Sequence, residues 1–138
     1  MSWVVDTCLI IDVLDNDTEF GESSARLIDR MAPDGLMLCP VTYVELAPAF
    51  LGDLRRQNAF LDAVGISHDD LWDGTVTQLA HQACHRQVSL RRGRHAPRRP
   101  VADILIGAFA AARQGLLTRN PDDFKRVFPQ LLIKTPER

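Results

Sequence analysis

Disulfide pairing, membrane spans and an export signal are all missing from this sequence. Its three cysteines, Cys8, Cys39 and Cys84, are odd in number, far apart and without CxxC spacing. They read as reduced, mostly buried thiols in a cytoplasmic protein. No window is long and apolar enough to span a bilayer. The first residues carry no basic stretch, and Asp6 and Asp12 interrupt the apolar run there, which argues against a secretory signal. Internal repeats, linkers and low-complexity tracts are absent as well. What remains is an ordinary soluble composition over 138 residues. That length suits one domain, residues 1–138, whose core needs neither disulfides nor structural metal.

Positive charge is scarce in the first part of the chain. Residues 1–84 hold 4 Lys and Arg against 14 Asp and Glu, whereas residues 85–138 hold 12 against 4. Such segregation points to an anionic partner for the basic half, a basic partner for the acidic half, or complementarity within the fold. The basic charge is densest between residues 91 and 100, where Arg91, Arg92, Arg94, Arg98 and Arg99 stand among Gly93, Pro97 and Pro100. The bland account of this stretch is a solvated loop. The functional one is a phosphate-contacting arm, since the planar guanidinium binds phosphate bidentately.

The apolar pattern describes alternating strands and helices. Trp3-Val4-Val5 reads as a short buried strand, bulky and partly β-branched, that stops at Asp6. Thr7 is the expected cap of a helix over residues 8–14. Residues 22–31 read as a second helix, 33–35 as a turn, and 36–39 as a second strand ended by Pro40. A right-handed crossover lays that strand parallel to the first. A helix from Val41 carries Glu45 on a face shared with Val41, Thr42, Pro48 and Ala49, where an acid rarely sits without a partner or a task. Residues 53–64 form a further helix, 66–68 at most a short edge strand. The longest helix is expected from Asp69-Asp70 to Arg92. Its His81 and His85 are one turn apart, but the segment lacks the Glu of HExxH and any third ligand, so a solvated face is favoured over a metal pair. An apolar helix over residues 101–112 has a single charge, Asp103, and is expected to end at Gly115. A strand at 116–118, a helix at 121–128 with Pro at its first position, and a strand at 131–133 complete the chain.

In a parallel α/β sheet, Asp6, Glu45, Asp103 and the Asp122-Asp123 pair all fall on the edge where the strands end, which is where such sheets bind ligands. Gathered without a cation, these acids repel and some stay protonated. Mg²⁺ or Mn²⁺ removes the conflict, because it takes a few hard oxygen ligands and keeps waters. The chemistry that follows is activation of a water for attack on a phosphodiester, with the arginine segment holding the polyanion.

Val4-Val5-Asp6-Thr7, the segment Val41-Thr42-Tyr43-Val44-Glu45-Leu46, the run from Pro100 through Asp103 to Ala108, and Leu117-Thr118-Arg119-Asn120-Pro121-Asp122-Asp123-Phe124 resemble the four signatures of PIN-domain ribonucleases. More narrowly, the chain is similar to VapC toxins of prokaryotic type II toxin–antitoxin pairs, in the right order and over nearly its whole length. The resemblance implies a PIN-like three-layer α/β/α fold around a central parallel sheet of four to five strands. It implies Mg²⁺-dependent endonucleolytic cleavage of RNA. It also implies a homodimer inhibited by a small VapB-type antitoxin that inserts a segment, often with an Arg, into the acidic cleft. Asp6 and Asp103 match the principal metal ligands. Glu45 matches the acid that binds metal or positions water, and Thr118 the hydroxyl that helps hold the site. Asn120 stands where family members often have Asp, so it offers an oxygen without a charge. Asp123, before Phe124, also fits the pattern and is the candidate for the missing charge.

Two other classes are open to this sequence. A non-catalytic PIN-like module would bind RNA or a protein through the arginine segment, and Asn120 is its best support. A phosphoacceptor receiver domain has similar size but wants an acid pair at the first strand and a late Lys. This chain has one tip acid, and Lys125 and Lys134 are badly placed.

Overall fold

In a computed structural model, which describes residues 2–94 and 101–137, the chain runs β1 (Trp3–Val5), α1 (Thr7–Leu14), α2 (Gly21–Met31), β2 (Leu36–Met37), α3 (Pro40–Glu45), α4 (Leu54–Ala63), β3 (Ile66–Ser67), α5 (Gly74–Arg94), α6 (Val101–Ala111), β4 (Gly115–Leu117), α7 (Pro121–Lys125) and β5 (Ile133–Lys134). Single 3₁₀ turns follow α2 at Ala32–Asp34 and α3 at Ala47–Phe50. The strands form one five-stranded sheet in the order β3-β2-β1-β4-β5, parallel throughout. The first strand is therefore the central one. Trp3 pairs in register with both Leu36 and Gly115.

Side-chain alternation along β1 divides the interior in two. Val4 points to a core filled from α5, α6 and α7 by Val76, Ala83, Ile106, Phe109 and Phe124. Trp3 and Val5 point to the opposite core, filled from α1, α2 and α4 by Leu9, Ile10, Leu27 and Leu61. With both faces covered, β1 has to be apolar at every position, and all three of its residues are buried. Each such side chain contributes about 1.5–3 kcal/mol. The architecture is the expected α/β/α sandwich, with five strands.

The details differ from the sequence pattern in instructive places. Asp6, not Thr7, caps α1: its Oδ1 accepts the Thr7 backbone N–H at 2.8 Å, and Thr7 is the first helical residue. The long helix starts at Gly74 because Asp73 caps it through the Val76 N–H (3.1 Å). Asp69 and Asp70 instead accept the Ser67 hydroxyl at the end of β3. Gly115 does not end a helix but opens β4, and α7 stops at Lys125 rather than Phe128. On α2, Leu27, Ile28 and Met31 are buried, and Ser23 and Ser24 join them while Ala25 is exposed. Leu54 on α4 is also exposed, and Gln57 takes the buried place, donating to the Tyr43 carbonyl at 2.8 Å. Arg91, Arg92 and Arg94 belong to the last turns of the α5 backbone. Arg98 and Arg99 lie outside the described residues. Among the described residues, no helix is long and apolar enough to cross a membrane.

Candidate functional site at the strand ends

The C-terminal ends of β1, β2 and β4 lie side by side, and the connections leaving them carry the candidate residues. Asp6 follows β1 directly. Its backbone N–H still donates to the Leu117 carbonyl (2.9 Å), so the sheet ladder fixes the Cα before the chain turns into α1. The side chain is 6% exposed. Its Oδ2 accepts the Thr118 hydroxyl at 2.7 Å and the Cys8 thiol at 3.4 Å. Thr118, fully buried just past β4, also accepts the Asn120 backbone N–H at 3.1 Å. Asp6 and Thr118 are thus in direct contact, and Asn120 is tied to the same hydroxyl through its backbone.

Glu45 reaches this group through Thr7. The Thr7 Oγ1 lies 2.7 Å from Glu45 Oε1 and 3.0 Å from the buried Thr42 Oγ1. Glu45 is exposed at the end of α3, just before the 3₁₀ turn that contains Pro48. Asp103 stands half-buried in the first turn of α6, and Asp123 half-buried in the first turn of α7. The structure therefore joins Asp6, Thr118, Asn120 and Glu45 by hydrogen bonds. Among the described residues, no three of the His, Cys, Asp and Glu side chains gather closely enough to hold a metal ion by themselves. His81, Cys84 and His85 are all exposed on α5.

The electrostatics of Asp6 are unusual for so well hydrogen-bonded an acid. Burial pushes its carboxyl above the ordinary value, and the Glu45 charge pushes the same way. The bonds from Thr118, Cys8 and the Thr7 N–H offset only part of that. Oδ1 has accepted one bond and keeps a lone pair, so Asp6 can still offer an oxygen outward. Carboxylate and hydroxyl oxygens are hard donors of the kind that a small divalent cation takes.

Cys8 belongs to this group although no spacing signal marked it. Burial, with the Asp6 charge beside it, pushes its thiol up to about 12. Burial raises Cys39 as well, while Cys84 is exposed. Since the thiolate is the reactive form, one of the three cysteines, Cys84, should react quickly with an aromatic disulfide reagent at pH 8. All three should react in denaturant. Rapid labelling of Cys8 in the folded protein, read by peptide mapping, would contradict this geometry. Arg119 is the other residue missed: it lies between Thr118 and Asn120, with its Nε 2.9 Å from the buried Asp12 Oδ2.

An all-parallel sheet with a buried acid at the tip of its central strand, a hydroxyl from the neighbouring strand and a second acid across the edge defines an acid-edge α/β fold rather than a receiver domain. The PIN domain model matches residues 3–128, and the chain belongs to that family. Among solved structures, the chain is similar to VapBC2 from Rickettsia felis bound to a DNA fragment from their promoter. That match has a TM-score of 0.70 and 15% identity, covering 99% of this chain and 100% of that one. It is also similar to FitAB bound to an IR36 DNA fragment, with a TM-score of 0.67 and 17% identity over 99% of this chain and 95% of that one. No curated protein matches.

Proposed function

We propose that the protein is an Mg²⁺- or Mn²⁺-dependent endoribonuclease and the toxin of a VapBC-type pair. The observation that carries this reading is the buried Asp6 carboxylate, held by Thr118 and linked through Thr7 to Glu45, yet still pushed toward its protonated form by burial. PIN-family membership and the likeness to toxin–antitoxin structures support it. In this reading Asp6, Asp103 and Glu45 would hold the cation together with waters, and the cation would supply Lewis-acid chemistry toward the phosphodiester and its attacking water. Thr118 fixes the rotamer of Asp6, Thr7 fixes Glu45 opposite it, and Asn120 and Asp123 border the substrate. Arg91, Arg92, Arg94, Arg98 and Arg99 hold the RNA backbone.

A small VapB-type antitoxin bearing a basic side chain suits an edge this rich in acid. In this reading the protein is a homodimer, for which Val44 and Leu71, 69% and 82% exposed, offer apolar surface.

The test is cleavage of total cellular RNA by purified, antitoxin-free protein in Mg²⁺, in Mn²⁺ and in EDTA, beside an Asp6→Asn control. Discrete metal-dependent fragments absent from the control are expected. Intact RNA in every lane would favour the non-catalytic RNA- or protein-binding module, which is supported by the uncharged Asn120 and by the lack of a three-acid cluster among the described residues. Thr118→Val keeps the shape of the side chain but removes the donor to Asp6. It should lower cleavage by about 10- to 100-fold, as loss of an outer partner of a metal ligand does, and Thr118→Ser should recover most of it. Equal activity in the valine and serine variants would discard this role.

A further inference from the structure

The acid edge has a second fastening, made by charged groups that the proposed chemistry does not use. Asp12, on α1, is 3% exposed. Its Oδ2 lies 2.9 Å from Arg119 Nε and accepts the Ser24 hydroxyl at 3.3 Å. The Phe20 ring covers the same guanidinium, 4.8 Å from Cζ to centroid. Arg119 sits in the β4–α7 connection between Thr118 and Asn120.

The connection is therefore fastened to the start and to the body of α1: Thr118 at the capping Asp6, and the Arg119 side chain at Asp12. These span about 9 Å of helix axis at 1.5 Å per residue. As a source of stability the pair is poor, because Asp12 is desolvated while Arg119 keeps a third of its side chain in solvent and its Nε lacks an aligned hydrogen bond. What it supplies is a defined position.

We propose that the Asp12–Arg119 ion pair is a positioning device, holding the β4–α7 connection on α1 so that the Thr118 hydroxyl meets Asp6 and the Asn120 N–H meets Thr118. Its effect on cleavage rests on the nuclease reading; its effect on geometry does not. Asp12 and Arg119 act through Thr118 and Asp6, and neither is offered as a catalytic residue.

The experiment compares Asp12→Asn, Arg119→Met, their double variant, Arg119→Lys and Ser24→Ala in the full chain. For each, thermal unfolding, Mn²⁺ affinity by paramagnetic resonance, kcat and KM on RNA, and amide exchange at Asn120 are measured. Asp12→Asn and Arg119→Met should each lower Mn²⁺ affinity and kcat by about 10- to 100-fold, with KM little moved, as remote supports of a metal ligand do. The double variant should lose no more than the worse single, the mark of residues acting as a unit. Arg119→Lys should recover part of the loss, since it keeps the charge but not the fork. The Asn120 amide should exchange faster in Asp12→Asn and Arg119→Met. Ser24→Ala, which spares the ion pair, should lower the melting temperature alone.

Folded Asp12→Asn and Arg119→Met proteins with unchanged Asn120 exchange, Mn²⁺ affinity and kcat would reduce the pair to packing, whatever their melting temperatures. Additive losses in the double variant would also overturn the proposal. If the wild type neither binds Mn²⁺ nor cuts RNA, the nuclease reading fails, and Asn120 exchange alone decides the positioning.

Discussion

Asp6→Asn is expected to cost at least about 100-fold in metal-dependent cleavage, more than the loss of an outer partner such as Thr118. In metal-free protein the same substitution is expected to raise the melting temperature. The two effects have one cause. Burial first, and then the Glu45 charge, raise the Asp6 carboxyl above its ordinary 3.8. The folded state therefore binds that proton more tightly than the unfolded chain does. This group's contribution to stability is full below pH 3.8 and is lost as pH rises through the raised folded value. Asparagine keeps the oxygen that caps Thr7 but has no charge to desolvate. Mg²⁺ should stabilise the wild type by binding only the folded state, and should leave the variant nearly unmoved. Melting curves from pH 4 to 8, with and without Mg²⁺, separate these effects. A variant as active as wild type would remove Asp6 from the site, and a wild type always more stable than the variant would contradict the charge argument.

Gly115→Ala is expected to be strongly destabilising. Gly115 opens β4 between the central strand and the β5 edge, buried and in register with Trp3. A Cβ there would lie 2.5 Å from the Leu132 carbonyl oxygen and 2.5 Å from Trp3 Cζ3. Leu132 O cannot retreat, because it accepts the Leu116 N–H that begins the β4–β5 ladder. The Trp3 ring is held within a full core. Overpacking of this kind costs about 3 kcal/mol at the upper end. For a domain this small that is a fall on the order of 10 °C in melting temperature. Thermal unfolding of the variant checks it, and a shift under a degree or two would mean that β5 moves aside freely.

The reasons for Gly115 and for Asp6 were unequally visible in the sequence. β1 could be read because three apolar residues with a carboxylate after them have few other uses, and the alternation of helices and strands requires a parallel sheet. The tip acids followed from that topology. Local competition was harder to judge. Asp6 and Thr7 can both cap a helix, and the carboxylate does so because its Cα is still in the β ladder when the chain turns. Asp69 and Asp70 had the right charge for the start of α5, but the Ser67 hydroxyl holds them on the preceding strand end. Gly115 resembled a helix terminator because the sequence does not show the Leu132 carbonyl beside it. The Asp12–Arg119 contact was illegible for the same reason: each residue looks solvated in its own neighbourhood, and only the β1–β4 pairing brings them together.

That pairing also orders events in time. The hydroxyl that holds Asp6 arrives 112 residues later in the chain, so during synthesis the acid emerges early and waits for nearly the whole protein. The β1–β4 ladder and the Asp12–Arg119 contact are equally late, and long-range pairings of this kind close last. A chain terminated before residue 118 carries Asp6, Glu45 and the Thr7 link between them, but lacks the β4 carbonyl and the Thr118 hydroxyl that hold Asp6 from the other side. The contact between Asp6 and Thr118 can thus form only when synthesis is almost finished.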